Sequence, residues 1–364
     1  MIGIARKGCT KSKCAKIRLS NIVKFYSIKF SVRIIAKKGS ILDKIEVDHV
    51  ERIDQILVKK LGISRNKALN LIKNSKLLVD DEIVLKPSLK PNLGSIITIY
   101  FSDENNSEKP QKKSINISII YEDSEILVIN KPANLVVHPA PSVKEYTLSE
   151  YLLDSGYKLS SINKNRPGVV HRLDRGTSGA LVMAKTNEAH ESLSTQFKLR
   201  SADRIYIALL NLALKDSVIV DRPIGRNPKN RLKKAVVEDG RASKTAFTNL
   251  YLGEDINLIA AKLHTGRTHQ IRVHLNSLGR YILGDNLYGF KRNFDKINSL
   301  MLHSFMLSFD HPISGKRLNF IAELEGEFRS VIDKNSNKEQ IYEKISADSI
   351  ISSFEHLHSW VCYN

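Results

Sequence analysis

The chain has 364 residues, of which 57 are lysine or arginine and 38 are aspartate or glutamate, so its formal net charge is +19. Hydrophobic residues make up 42% of the sequence and charged residues 26%, which is typical of globular rather than disordered or fibrous proteins. No apolar run approaches the roughly 20 residues that a membrane-spanning helix needs, so we expect no membrane association. Three cysteines are too few for a disulfide scaffold and favour a reducing compartment. The charge indicates a polyanion partner, with a merely soluble basic protein as the alternative.

The first 40 residues hold eleven lysines and arginines and no acidic residue. This composition is typical of a basic arm that contacts nucleic acid, and equally of a mitochondrial transit peptide. An extension from a misplaced start codon is a third explanation. We predict that residues 1–47 are a basic, disordered leader. The expected location is the bacterial cytoplasm, or the mitochondrion if the leader is a transit peptide. Cys9 and Cys14 have no second ligand pair nearby, so zinc is not expected there.

Residues 48–101 are predicted to form a small α+β domain. A first helix ends at Gly62, and Ser64 is a suitable N-cap for a second helix. A hairpin is predicted to pair Leu77–Val79 with residues 83–85, and a strand follows at residues 96–100. The buried positions of the first helix follow helical spacing, namely Ile53, Ile56, Leu57 and Leu61.

The stretch RIDQILVKKLGISRNKALNLIKNSKLLVDD (residues 52–81) resembles the S-four-like RNA-binding domain, which grips structured RNA with its second helix. That helix would carry Arg65, Lys67 and Lys73, although a solvated face explains these charges about as well. The family usually has glycine where Lys76 stands and Asn-Gly in place of the two aspartates at 80 and 81. Without glycine, a tight hairpin turn is less favourable.

Residues 102–114 contain no large apolar residue and are predicted to be an exposed linker. It separates the small domain from a large unit at residues 115–330. Residues 331–364 are predicted to be a helical, partly polar C-terminal extension, and we assign no chemistry to them.

A polar, glycine-containing turn, Arg166–Gly179, lies between two apolar strands in the large unit. It carries His171, Arg172 and Asp174, and binding or catalytic groups are often found on such loops. Positive charges at Arg172 and Arg175 favour an ionised carboxylate at Asp174. Such a group suits a nucleophile or an electrostatic stabiliser better than a general acid. The alternative is a structural salt bridge at a turn.

A second polar cluster spans Leu263–His274, where Thr268 is predicted to cap a helix that Gly279 ends. Its histidines lack the spacing of a metal site, and Arg267 and Arg272 would repel a cation, so we expect no metal. Catalysis by a cysteine or serine with histidine is also not expected, because no internal cysteine or G-x-S-x-G motif is present. The three histidines are His264, His269 and His274.

Between these clusters, residues 222–244 hold eight positive and two negative side chains. Interleaved glycine, proline and asparagine predict a loop whose charges could reach a phosphate backbone. A solvated basic loop is the alternative.

Taken in order, these segments resemble the RluA class of RNA pseudouridine synthases, and within it the ribosomal large subunit enzymes. The resemblance covers essentially all of residues 115–330, and an S-four-like domain in front is a known arrangement in that class. The segments that carry it are YEDSEILVINKPANLVVHP (121–139), HRLDRGTSGALVMAK (171–185), RIYIAL (204–209), HTGRTHQIRVHLNSLGRYILGDNLYG (264–289) and LHSFMLSFDHPISGK (302–316).

The resemblance implies an α/β (α+β) pseudouridine synthase fold, with a central mixed, largely antiparallel sheet. It implies an isomerase that converts uridine in RNA to pseudouridine without cofactor or metal. The catalytic aspartate falls on Asp174, which would act at C1′ or C2′ of the sugar, and Arg267 is expected to pair with it. Tyr206 would stack on uracil and relay the C5 proton. Arg172 would fill the space that the flipped base leaves.

The substrate that this resemblance implies is large-subunit (23S) ribosomal RNA, and we expect a monomer. Two alternatives stay open, namely a tRNA pseudouridine synthase and a catalytically inactive RNA-binding ribosome assembly factor.

Overall fold

The structure, a computed structural model, describes residues 40–74, 77–101, 115–289 and 297–363. The described residues form two units, divided near residue 109. The predicted linker and residues 1–39 of the predicted leader lie outside the described residues. Within the described ranges, no helix is both long enough and apolar enough to cross a membrane.

The first unit packs two helices against a four-stranded antiparallel sheet of order β1-β4-β2-β3. Its core is aliphatic, with Ile53 and Leu57 of the first helix packed with Ile97 and Ile99 of the sheet. The predicted start at residue 48 falls too late, because the preceding strand β1 pairs with β4 along its whole length. The elements are β1 Ser40–Glu46, α1 Ile53–Leu61, α2 Arg65–Lys73, β2 Leu77–Val79, β3 Glu82–Ile83 and β4 Ile96–Phe101.

Local signals define the helix ends in this unit as predicted. Gly62 ends α1 in the left-handed conformation (φ 61°), and the Ser64 hydroxyl caps α2 by accepting the Lys67 N–H at 3.4 Å. The hairpin forms without glycine, because Asp80 and Asp81 both adopt positive φ. The Asp80 carboxylate accepts the backbone N–H of Ile96 at 2.8 Å, which stabilises the turn.

The second unit is built on a mixed ten-stranded sheet of order β16-β9-β12-β13-β8-β14-β7-β6-β5, with β15 paired to β14. Neighbouring strands are antiparallel except β14 with β7 and β16 with β9, which confirms the predicted mixed, largely antiparallel sheet. The strands are β5 Ser118–Glu122, β6 Ile126–Lys131, β7 Ser178–Ala184, β8 Asp203–Leu210, β9 Val218–Asp221, β10 Ile224–Arg226, β11 Lys234–Val236, β12 Lys244–Tyr251, β13 Asn257–Leu263, β14 Leu302–Asp310, β15 Arg317–Ile321 and β16 Val361–Tyr363.

The sheet is covered on both faces, so its central strands are buried on both sides. In β6, Leu127 and Ile129 join one apolar cluster while Ile126 and Val128 join another, as the alternation of side chains along a strand requires. The helices of this unit are α3 Leu148–Asp154, α4 Asn187–Leu199, α5 Gln270–Ser277, α6 Gly326–Asp333, α7 Lys338–Lys344 and α8 Ala347–Ser352.

The C-terminal segment is part of this unit rather than an appendix. The predicted boundary at residue 330 falls inside α6, and β16 pairs with β9 at the edge of the large sheet. Ile332, Ile341 and Phe354 are buried in the main apolar cluster. Burial of these side chains gives a hydrophobic contribution that a solvated extension would lack.

Residues 222–244 are also more ordered than the predicted loop. β10 and β11 form an antiparallel hairpin, in which Ile224 pairs with Val236 and Arg226 with Lys234. The basic side chains of Lys229 and Arg231 at its tip are exposed.

Candidate active site

Asp174 lies on the turn that precedes β7, and the residues around it fix that turn. Leu173 is buried, and the Asp174 carbonyl accepts the N–H of Thr177 at 3.1 Å. The His171 ring stacks on Phe197, with ring centroids 4.3 Å apart, and accepts the N–H of Val182 at 3.0 Å. Burial lowers the pKa of His171 to about 3, so this ring stays neutral and serves to position the turn.

Lys131, at the end of β6, also stabilises the turn that carries Asp174. Its ammonium donates to the carbonyl oxygens of Pro132, Leu135 and Arg175, at 2.7, 2.9 and 3.3 Å. The side chain is fully buried, and burial lowers the pKa of Lys131 to about 7. Because Arg175 follows Asp174 directly, this contact fixes the backbone beside the carboxylate.

Tyr206, on β8, lines the same cavity as Asp174. Its ring is buried, and burial raises the pKa of its phenol, so the hydroxyl keeps its proton.

The close approach of β7 to β14 requires Gly179, which has φ 109°. A Cβ there would lie 2.3 Å from the Ser304 carbonyl oxygen.

The segment before α5 lines the same cavity as Asp174, and the N-cap of α5 differs from the prediction. His269, in the left-handed conformation (φ 60°), takes the N-cap position expected for Thr268. The Gln270 side-chain oxygen folds back to accept the Arg267 N–H at 2.9 Å and the Thr265 hydroxyl at 2.7 Å. This side chain therefore satisfies an amide that the predicted threonine cap would not reach.

Arg272, on the first turn of α5, is the arginine nearest to the Asp174 carboxylate. Its Nη1 lies 3.9 Å from Asp174 Oδ2, while Nε and Nη2 donate to the two Asp285 oxygens at 2.8 and 2.7 Å. The guanidinium also lies over the ring of Tyr288, 4.9 Å from its centroid. A fork bound on two sides keeps one nitrogen directed at Asp174.

His269 lies on the other side of Asp174, with Nε2 3.9 Å from Oδ2. Its Nδ1 is 2.9 Å from the hydroxyl of Tyr288, which accepts the N–H of Lys234 at 2.7 Å. Because the phenol oxygen already accepts from Lys234, we assign the hydroxyl as donor to Nδ1. The single proton of the neutral ring is then on Nε2, which faces Asp174. Burial lowers the pKa of His269, which favours this neutral ring.

The structure brings all four predicted residues to one cavity wall, but it corrects the predicted pairing of Arg267 with Asp174. Arg172, Asp174 and Tyr206 line a common cavity of about 440 Å³. Arg267 lines it too, yet within the described chain it forms no ion pair with Asp174. Its Nε donates instead to the Ala242 carbonyl at 3.3 Å. The predicted pairing is wrong because Arg272, on the first turn of α5, takes that position.

The sequence prediction also missed Lys131, Arg272, Asp285 and Tyr288. A usable signal was present for Arg272, which lies three residues after His269 and therefore on the same face of a predicted helix. For the other three, only tertiary contacts reveal the role.

The cavity is strongly cationic. Its described lining residues include six lysines or arginines, and Asp174 is their single acidic member. The Asp174 side chain is 18% exposed and accepts no hydrogen bond from any described residue. The carboxylate is therefore held electrostatically but keeps its lone pairs available to a bound molecule.

Comparison with known proteins relates these features to a family. The RNA pseudouridylate synthase family matches residues 125–277, and the S4 domain family matches residues 51–97. An uncharacterized RNA pseudouridine synthase of Helicobacter pylori (strain J99) is 43% identical over 317 residues, covering 84% of this chain and 96% of the relative. The chain belongs to the RNA pseudouridine synthase family.

Two further family members illustrate the range of similarity. The ribosomal large subunit pseudouridine synthase D of Pseudomonas aeruginosa is 36% identical over 292 residues, covering 76% of this chain and 90% of the relative. A solved human RNA pseudouridylate synthase domain protein (domain containing 1) superposes with a TM-score of 0.47 at 26% identity, covering 61% of this chain and 96% of that chain. The assignment to the family rests on the sequence relatives.

Proposed function

We propose that this pseudouridine synthase modifies specific uridines of large-subunit (23S) ribosomal RNA, with Asp174 as its catalytic carboxylate and without a cofactor. The observation that carries the assignment of Asp174 is its position. It is the acidic group of a cationic cavity, 3.9 Å from both Arg272 and His269 and free of hydrogen bonds among the described residues. The ribosomal substrate is supported by relatives named ribosomal large subunit pseudouridine synthase D.

The reaction is redox-neutral. One N–C bond between uracil and the sugar breaks, one C–C bond forms from C5 of the same uracil, and a proton moves from C5 to the ring nitrogen released by the sugar. Asp174 would act at the sugar as nucleophile or base, since both roles need an ionised carboxylate. Tyr206, protonated and buried, would support the uracil ring and relay the proton.

A paired uridine cannot reach a cavity of this kind, so we propose that the target base flips out of its stack, at a cost of about a few kcal/mol. Arg172, which is exposed at the cavity wall, would fill the space left behind. The exposed basic hairpin at 224–236 would offset this cost through contacts with phosphates. We further propose that the enzyme acts as a monomer in the cytoplasm, to be checked by light scattering and cell fractionation.

The first experiment maps pseudouridines in ribosomal and transfer RNA from cells with and without this protein. Loss of pseudouridine in large-subunit ribosomal RNA is expected. Loss in transfer RNA alone would instead favour the alternative substrate, and no loss would favour an inactive assembly factor.

The second experiment compares Asp174→Asn with Asp216→Asn, an exposed aspartate outside the cavity. Asp174→Asn is expected to abolish pseudouridine formation while RNA binding stays within a few-fold, because the amide is neutral and nearly isosteric. Asp216→Asn should keep full activity. Turnover by the Asp174→Asn variant at a wild-type rate would exclude the assigned role.

A further inference from the structure

Arg204 is a buried cation without a bonding partner in the described chain. The residue lies on β8 and is 8% exposed. Its guanidinium forms no hydrogen bond or ion pair with any described residue, and its Nε is buried and unpaired. A buried, unpaired charge is expensive, so such groups usually meet a partner of opposite charge.

Packing alone does not explain this arginine. Its guanidinium carbon lies 5.6 Å from the centroid of the Phe197 ring, a cation–π contact that leaves the N–H donors unused. In contrast, Arg272 and Arg317 each form hydrogen bonds with aspartate. Arg204 lines the same cavity as Arg272 but, among the described residues, has no carboxylate partner.

The residues around Arg204 pack closely on one side and supply further positive charge on the cavity side. Gly266 lies directly against it, since a Cβ there would come 2.5 Å from Arg204 Nη1. Lys198 and Arg200, both exposed, line the same cavity at the end of α4. Arg200 is held at that point by its left-handed backbone (φ 67°) and its N–H bond to Gln196.

The position of Arg204 along its strand gives the distance to the reacting nucleotide. Arg204 and Tyr206 are two residues apart on β8, so their side chains lie on one face, separated by about 6.6 Å along the strand. A base on Tyr206 would therefore bring a phosphate of its own nucleotide, or of the adjacent one, towards Arg204.

We propose that Arg204, flanked by Lys198 and Arg200, is a phosphate-binding subsite that holds the backbone phosphate next to the flipped uridine. The proposal rests on the function proposed above. A planar guanidinium with free donors matches two phosphate oxygens, and a phosphate supplies the negative charge that the buried cation lacks. A uracil carbonyl would satisfy one donor but would not neutralise the charge.

The test measures binding of a ten-nucleotide oligouridylate to the full-length protein as a function of salt concentration. All proteins carry Asp174→Asn so that no turnover occurs. Arg204→Met is compared with Arg329→Met, which removes one arginine charge from exposed α6, away from the cavity. Loss of one phosphate contact should reduce the slope of log affinity against log salt by about 0.7 in Arg204→Met alone. The accompanying loss of affinity should be about ten-fold.

Two further variants distinguish loss of the phosphate contact from misfolding. Arg204→Lys keeps the charge but loses the fork, so it should retain the salt slope and lose part of the affinity. Gly266→Ala keeps Arg204 but displaces its guanidinium, so it should resemble Arg204→Met. If Arg204 had only a structural role, its replacement would lower thermal stability without changing the salt slope.

Equal salt slopes for Arg204→Met and Arg329→Met would overturn the phosphate subsite, as would a weaker affinity with an unchanged slope, which indicates a carbonyl contact. Activity is measured separately with wild-type protein on a ribosomal RNA transcript. A wild-type protein that forms no pseudouridine would refute the proposed function, whereas the slope comparison would still decide the subsite.

Discussion

The guanidinium of Arg272 lies 3.9 Å from the carboxylate of Asp174 and is fixed at that distance by a second carboxylate. Two short hydrogen bonds to Asp285 hold its other nitrogens. The arrangement gives Asp174 a nearby positive charge without a direct hydrogen bond, so the carboxylate oxygens stay accessible. A prearranged charge of this kind lowers the cost of reorganisation when a sugar with developing charge is bound.

Replacing Arg272 is therefore predicted to harm catalysis more than replacing Arg267. Arg272→Met should lower the single-turnover rate by about 10²–10³-fold, the range seen when one prearranged electrostatic group is removed. Arg267→Met should lower it by less than about ten-fold, because that side chain donates to the Ala242 carbonyl instead. Single-turnover rates at saturating enzyme separate this effect from binding. A larger loss of rate in Arg267→Met than in Arg272→Met would support the pairing of Arg267 with Asp174 that was expected from the sequence.

Tyr288 contacts both the basic hairpin and His269, which lies beside Asp174. Tyr288→Phe is predicted to lower both the stability of the hairpin and the rate of pseudouridine formation. Its hydroxyl accepts the N–H of Lys234 and lies 2.9 Å from Nδ1 of His269. Its removal leaves the Lys234 amide unsatisfied, at a cost of about 1–3 kcal/mol in the free energy of unfolding. It also frees the His269 ring, so we expect a rate about ten-fold lower.

The matched control is Tyr342→Phe, which removes a hydroxyl that donates to Asp333 outside the cavity. This variant should keep the wild-type rate. If both variants lose activity equally, the link through Tyr288 has no specific role in catalysis.

Asp54, in the small unit, gives a prediction whose sign opposes simple electrostatics. Its buried carboxylate accepts from Arg52 at 3.0 and 3.1 Å and from Arg65 at 3.3 Å, and the bond from Arg52 lowers the pKa of Asp54. Asp54→Asn removes a negative charge, which alone would favour RNA. We expect weaker RNA binding instead, by about three- to ten-fold, because the guanidinium groups of Arg52, which precedes α1, and Arg65, at the start of α2, lose their common anchor.

The comparison variant is Asp81→Asn, which removes an exposed acid from the same unit at a turn position that asparagine tolerates. It should leave affinity unchanged or raise it slightly. Binding is measured by electrophoretic mobility shift with a ribosomal RNA transcript. Tighter binding by Asp54→Asn would show that charge, and not orientation, governs this surface.

The sequence predicted what depends on neighbouring residues. The glycine that ends α1, the serine that caps α2 and the buried strands of the large sheet all follow from local spacing and turn chemistry. The ordered motifs that resembled a family also predicted that Asp174, Tyr206 and Arg172 share a site, and the three line one cavity.

Long-range contacts account for what the sequence could not predict. The choice of Arg272 over Arg267 depends on Asp285, which is contributed from beyond the end of α5. Lys131, next to a proline, gives no sign in the sequence that three carbonyl oxygens surround it. The C-terminal helices seemed polar because each buries only one or two side chains, such as Phe328 and Ile332.

His303 predicts how the stability of the large unit depends on pH. The ring lies inside the core, where Nδ1 accepts the Ser178 hydroxyl at 2.8 Å and Nε2 donates to the Ala322 carbonyl at 3.0 Å. Burial lowers the pKa of His303 to about 4, against about 6.5 in an unfolded chain. Between these values the unfolded state binds a proton that the folded state excludes. The free energy of unfolding should therefore fall as pH falls from 6.5 towards 4.

His303→Gln should remove the part of this dependence that His303 contributes, while other buried histidines such as His171 and His274 keep theirs. The variant is less stable at pH 7, but its disadvantage should shrink by up to about 1.4 kcal/mol per pH unit below 6.5. Urea unfolding at pH 7, 6 and 5 measures it, with fluorescence of Trp360, the one tryptophan of the chain, which packs against Phe354 in this unit. His358→Gln alters an exposed ring and serves as the control. Because only a pKa lowered by burial makes the two states bind different numbers of protons, parallel pH profiles for wild type and His303→Gln would mean that His303 takes up its proton at the same pH in the folded and unfolded states.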